Sequence, residues 1–144
     1  MDDYVLVYMT FPNRHPPEAG IFINGKLFRG RKIFAGEISA IPLEIKWEAA
    51  LYSSFNPLCD AIARLIVAVC SILNPDRIIL NGNFLSELHM TAITKKCHTK
   101  LLSNIIPVIS LSGNFIADYQ SGLVVQTLEQ FKPKIKLINN HREG

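Results

Sequence analysis

The chain has 144 residues and a formal net charge of +3, with 49% hydrophobic and 19% charged residues. That length suits one domain around a single core, and the apolar-to-charged balance excludes a disordered chain. The basic residues are dispersed apart from Lys132, Lys134 and Lys136, so no basic stripe or entering helix marks a nucleic-acid binder.

Mean hydropathy is positive, which is high for a small domain. It has two physical sources: a sheet buried on both faces, or apolar surface that expects another lobe or subunit. Met1-Asp2-Asp3 is acidic where a secretory leader is basic. The longest apolar stretches are interrupted by Asp60 and Arg64 or by Pro75, so none reads as a membrane span. Cys59, Cys70 and Cys97 form no C-x-x-C pair, and their odd number argues against a disulfide framework. The expected compartment is a reducing cytoplasm.

Tyr4 to Phe11 is β-branched and aromatic and predicts a buried strand. The prolines of Pro12-Asn13-Arg14-His15-Pro16-Pro17-Glu18 require a loop. Gly20–Ile23 and Lys26–Arg29 flank Asn24-Gly25, which accepts the positive φ of a type I′ turn, so the first three strands form an antiparallel meander. An irregular stretch from Gly30 to Tyr52 follows. Asn56-Pro57 then opens a helix from Leu58 to Leu73 that is apolar nearly all round, with Asp60 and Arg64 spaced to pair. Asn74-Pro75-Asp76 stops it. Arg77–Leu80 predicts a short buried strand, Leu85–Ser103 a second helix, Pro107–Leu111 a fifth strand and Asp118–Phe131 a third helix, with Asp118 as its N-cap. The order β-β-β-α-β-α-β-α implies a mixed sheet whose later strands are parallel, joined by right-handed crossovers. This is the α/β layout of one lobe of the ribonuclease-H-like, actin/hexokinase-type ATPases.

Four segments carry a more specific resemblance. Ala19-Gly20-Ile21-Phe22-Ile23-Asn24-Gly25-Lys26-Leu27-Phe28-Arg29-Gly30 resembles the pattern G-A-G-I-x-x-x-G-x-L-x-x-G of the ROK family (repressors, open reading frames and kinases). Ala35-Gly36-Glu37-Ile38 resembles the start of that family's A-G-E-x-G-H sugar motif. Leu73-Asn74-Pro75-Asp76-Arg77-Ile78-Ile79-Leu80-Asn81-Gly82 resembles L-N-P-x-x-I-x-L-G-G, and Gly122-Leu123-Val124 sits where the family opens a helix with Gly-Ala-Ala. The resemblance extends from Val5 to Phe131 and implies that residues 1–144 are a single C-terminal lobe. The family's N-terminal lobe, with its D-x-G-x-T phosphate loop and catalytic aspartate, has no counterpart in this sequence.

Departures from the family pattern shape the functional expectation. A second phosphate loop, rich in Gly and Thr, belongs after the first strand, because free backbone N–H groups close on phosphate oxygens. Here Pro12, Pro16 and Pro17 offer none, and Glu18 adds repulsion. The adenosine-side Gly-Gly has become Asn81-Gly82, which leaves Gly82 as a remnant nucleotide-binding residue. The zinc-binding histidine position reads Ala40, and no cysteine cluster precedes Trp47. Cys97 and His98 are adjacent on a helix and point about 100° apart, so they do not converge on a metal. Glu37 survives from the sugar motif, and a carboxylate accepts bonds from two neighbouring hydroxyls.

The resemblance therefore implies a non-catalytic, sugar-responsive effector and dimerisation lobe of a ROK-type transcriptional regulator, with Glu37 as the sugar contact. No cofactor and no metal are expected. The partners implied are an N-terminal lobe or another subunit, a second copy in a homodimer, a sugar, and DNA only through a separate N-terminal domain. The alternative is the C-terminal half of a divergent sugar kinase, phosphorylating a hexose or amino sugar with ATP.

Overall fold

The computed structural model describes residues 3–33 and 35–112. The strands are β1 (Val5–Thr10), β2 (Glu18–Ile23), β3 (Lys26–Phe28), β4 (Arg77–Asn81) and β5 (Val108–Leu111). The helices are α1 (Ala49–Tyr52), α2 (Phe55–Leu73) and α3 (Glu87–Lys100), with short 3-10 turns between them. The expected helix Asp118–Phe131, its cap Asp118, Gly122-Leu123-Val124 and the Lys132, Lys134 and Lys136 cluster lie outside the described residues.

The five strands form one mixed sheet in the order β3-β2-β1-β4-β5. β1 pairs antiparallel with β2 and parallel with β4, and β4 pairs parallel with β5. The meander follows from its turn: Ile21, Phe22 and Ile23 stand opposite Phe28, Leu27 and Lys26. Asn24 and Gly25 carry φ of 52° and 80°, the positive values a type I′ turn demands. The Asn24 side chain adds a second tie, accepting the Tyr4 N–H at 2.7 Å and donating to Asp3 at 2.7 Å.

Alternation along the strands divides the core. Val7, Met9, Ile78 and Leu80 face α2 and α3, where Leu58, Ile62, Leu65, Ile66 and Ile93 complete a closed apolar layer. Leu6, Tyr8, Phe22 and Ile79 are buried on the opposite face. A sheet buried on both faces is thus one source of the high hydropathy, and exposed apolar residues such as Ile72, Leu88 and Leu102 add to it. By length and composition alone α2 would cross a bilayer, but nine of its residues are buried here, eight of them in the layer against the sheet.

Helix starts differ in detail from the sequence expectation. α2 begins at Phe55 behind Ser54, not at an Asn56 cap, and Pro57 is its third residue. Proline is tolerated there because the first-turn N–H groups have no intrahelical acceptor. At the other end Asn74 adopts the left-handed conformation (φ 45°, ψ 60°) that closes the helix. Asp76 then accepts the Val5 N–H through its carboxylate at 2.7 Å, and its own N–H donates to the Val5 carbonyl at 2.8 Å. The Asn-Pro-Asp turn therefore sets where β4 enters beside β1. Arg64 does not pair with Asp60; its Nη2 donates to the Leu43 carbonyl at 2.6 Å and ties the irregular stretch to α2.

Candidate functional site

In open α/β sheets ligands sit in the crevice outside the carboxyl ends of the parallel strands. Here β1 ends at Thr10 and β4 at Asn81, side by side in register. α2 leads through its C-terminal turn straight into β4, so its N-terminus lies at this same end of the sheet. The loop after β1 also begins here. Phe11 extends the ladder by donating its N–H to the Asn81 carbonyl at 2.8 Å, and Arg14 turns the chain with φ of 70°.

A run of aromatic rings packs at this end of the sheet. Phe11 lies 5.9 Å from Trp47, Trp47 lies 6.2 Å from Tyr52, and Tyr52 meets Phe84 edge-on at 5.1 Å. The series continues through His89, 6.2 Å from Phe84 and 4.7 Å from Phe55. Such tilted pairs contribute about 0.5–1.5 kcal/mol each beyond the area they bury. Tyr52 is buried, and its hydroxyl donates to the His15 carbonyl at 2.5 Å, pinning the β1–β2 loop to the cluster. Pro12 and Pro17 are buried at the loop's two ends. Glu18 stands directly across the ladder from Thr10. A carboxylate beside prolines and closed rings is the opposite of a phosphate cradle, which needs several converging N–H donors.

Gly82 follows β4 at the same end. A Cβ added to it would meet Leu85 Cδ1 and Phe84 Cε1, each at 3.2 Å. The residue's small size is thus used by side chains of the following turn. Asn81 beside it accepts a bond from the Ser112 hydroxyl at 2.9 Å. Tyr8, also bonded to Ser112, has its hydroxyl pKa raised by burial, a shift the Ser112 bond partly offsets.

Glu37 lies on the strap that follows β3. The strap after β3 is fixed at Gly36, whose carbonyl accepts the Ala19 N–H at 2.8 Å, and again at Leu43 by Arg64. Between these ties Glu37 precedes a 3-10 turn, Ile38–Ala40, which its side chain does not cap. Glu37 lines a groove of about 250 Å³ between this strap and the last turns of α2. The sequence motif located the carboxylate but not its apolar surroundings.

The described residues contain no cluster of His, Cys, Asp and Glu able to hold a metal ion. Cys59, Cys70 and Cys97 are buried thiols, and burial pushes Cys70 and Cys97 up to about 11. His98 is exposed while Cys97 is buried, as their helical phase requires. His89, whose pKa burial lowers, accepts the Ser86 N–H at Nδ1 and closes the first turn of α3. Sequence reasoning missed it, because this reciprocal cap ordinarily uses Glu or Gln.

The architecture has close counterparts among solved structures. A ROK hexokinase from Thermus thermophilus superposes with a TM-score of 0.61 at 12% identity, over 76% of this chain and 53% of its own. A ROK family protein from Streptococcus pneumoniae TIGR4, solved in complex with sucrose, gives 0.59 at 14% identity, over 75% and 52%. A ROK family transcriptional regulator, a homologue of the E. coli MLC protein, gives 0.54 at 15% identity, over 77% and 42%. The chain spans about half the length of these structures. No family model and no curated protein matches it by sequence. The likeness is one of fold: the chain has a ROK-like α/β fold. Kinase and regulator share that fold, so the choice between them falls to the site.

Proposed function

We propose that this chain is a non-catalytic effector lobe, the C-terminal part of a ROK-type transcriptional regulator that senses a sugar and dimerises. One observation carries the reading. The crevice at the ends of β1 and β4 is filled by Phe11, Trp47, Tyr52 and Phe84, and its loop is pinned by the Tyr52–His15 bond. Phosphoryl transfer rests on positioned phosphate and magnesium contacts, and an aromatic plug beside Glu18 supplies none of them. A regulator needs only a ligand-responsive surface and a partner. Glu37 is the sugar contact in this reading, working with groups from an N-terminal lobe, and a two-fold dimer suits paired DNA half-sites. The kinase alternative draws on the hexokinase likeness, but requires the plug to open.

The test is a hexose and amino-sugar titration of the intact two-lobed protein, with and without ATP. We expect saturable sugar binding that Glu37→Ala weakens, and no sugar phosphate. ATP-dependent formation of a sugar phosphate would overturn the reading.

A further inference from the structure

The groove beside Glu37 has walls that a bare sugar does not match. Ile21, Ile38, Ile41, Val69, Ile72 and Leu73 line it, and Glu37 is the one charged residue among the described residues of its lining. A pyranose carries hydroxyls around its whole edge, and each one buried against aliphatic wall without a partner opposes binding. The same walls suit a short hydrocarbon. At about 250 Å³ the groove has room for a chain of a few carbons. Ile72, on the α2 side, is 76% exposed, so its apolar surface gains from being covered.

We propose that the ligand of this site is a glycoside with an apolar aglycone, an alkyl or aryl group, rather than a free sugar. The carboxylate of Glu37 accepts bonds from sugar hydroxyls, while the aglycone lies in the groove between the strap and α2. This rests on the sugar-sensing reading above and names its ligand class. Selectivity then comes from the aglycone as much as from the sugar, because a single carboxylate fixes few hydroxyls.

The experiment is a calorimetric titration of the intact two-lobed protein with glucose, methyl, butyl and hexyl β-D-glucopyranosides, and 1-hexanol. It is repeated with the matching galactosides and N-acetylglucosaminides. Affinity is expected to rise about fourfold for each methylene buried, until the groove is full. Glu37→Gln should weaken every glycoside by about tenfold, and Ile72→Asp, at an exposed position, should flatten the dependence on chain length. Free sugar binding as tightly as its hexyl glycoside would overturn the aglycone proposal and leave the sugar reading standing. Hexanol binding as tightly as the glycosides, untouched by Glu37→Gln, would overturn both, as would no binding by any probe. Light scattering supplies the remaining outcome: a dimer that Ile72→Asp dissociates and glycosides do not affect would make the groove a subunit interface and overturn the proposal.

Discussion

Replacing Tyr52 with Phe removes one hydroxyl and nothing else, and so isolates the pin that holds the β1–β2 loop against the aromatic cluster. The Tyr52 ring is 7% exposed and its hydroxyl lies 2.5 Å from the His15 carbonyl. A neutral hydrogen bond contributes about 0.5–1.5 kcal/mol net. His15 is exposed, so water replaces the lost donor, and we expect a loss of about 1 kcal/mol. For a domain of this size that lowers Tm by about 3–5 °C. The ring contacts with Trp47 and Phe84 remain, so the urea m-value should not change. Tyr52→Ala also removes the ring and should cost about 3–5 kcal/mol through the cavity left behind. Urea unfolding measures both, and hydrogen exchange at residues 13–15 reads the loop directly. Tyr52→Phe unfolding like the wild type, with unchanged loop exchange, would show that the bond does not hold the loop.

Partly and fully buried polar groups give further predictions. His89 is held below its ordinary pKa by burial, so the unfolded chain takes up a proton that the folded chain resists. Stability should therefore fall as pH drops through about 6.5 toward the lowered folded value, and His89→Gln, which keeps an acceptor for Ser86, should remove that slope in pH-dependent unfolding. Cys70 and Cys97, buried and pushed up to about 11, should resist iodoacetamide at pH 8 in the native protein and react in denaturant, as mass spectrometry would read. Arg64→Leu removes the charged donor to Leu43 and should cost about 1.5–3 kcal/mol, with faster exchange across residues 36–43 in the strap.

The parts of the fold legible in the sequence were those set by local chemistry. Asn24-Gly25 fixes its hairpin because few other pairs accept two positive φ values in succession. The β-branched runs of β1 and β4 follow from a sheet buried on both faces. Helix starts were less legible. Pro57 fits equally well at the first or third helical residue, so the true start at Phe55 left no local mark. The Asp60–Arg64 spacing suggested a pair, yet Arg64 finds a backbone carbonyl more than twenty residues away in sequence. The aromatic plug was invisible for the same reason: Phe11, Trp47, Tyr52 and Phe84 come from separate segments, and only β1–β4 pairing and helix packing unite them. Sequence reasoning read the loop's prolines as an absence of phosphate donors, where the structure also has rings filling the space. Glu37 was found by motif, but the aliphatic walls beside it come from β2, the strap and α2 together.

The central claim of the proposed reading is that the crevice at the ends of β1 and β4 is packed and takes no nucleotide. Isothermal titration of the chain with MgATP tests it most directly, because it probes the crevice whether or not a second lobe is present. The account predicts no saturable heat at micromolar to high-micromolar nucleotide, in the wild type and in Tyr52→Phe alike, since Pro16, Pro17 and Glu18 remain in the loop. Saturable binding with a micromolar Kd, weakened by substitution of Gly82, would contradict it.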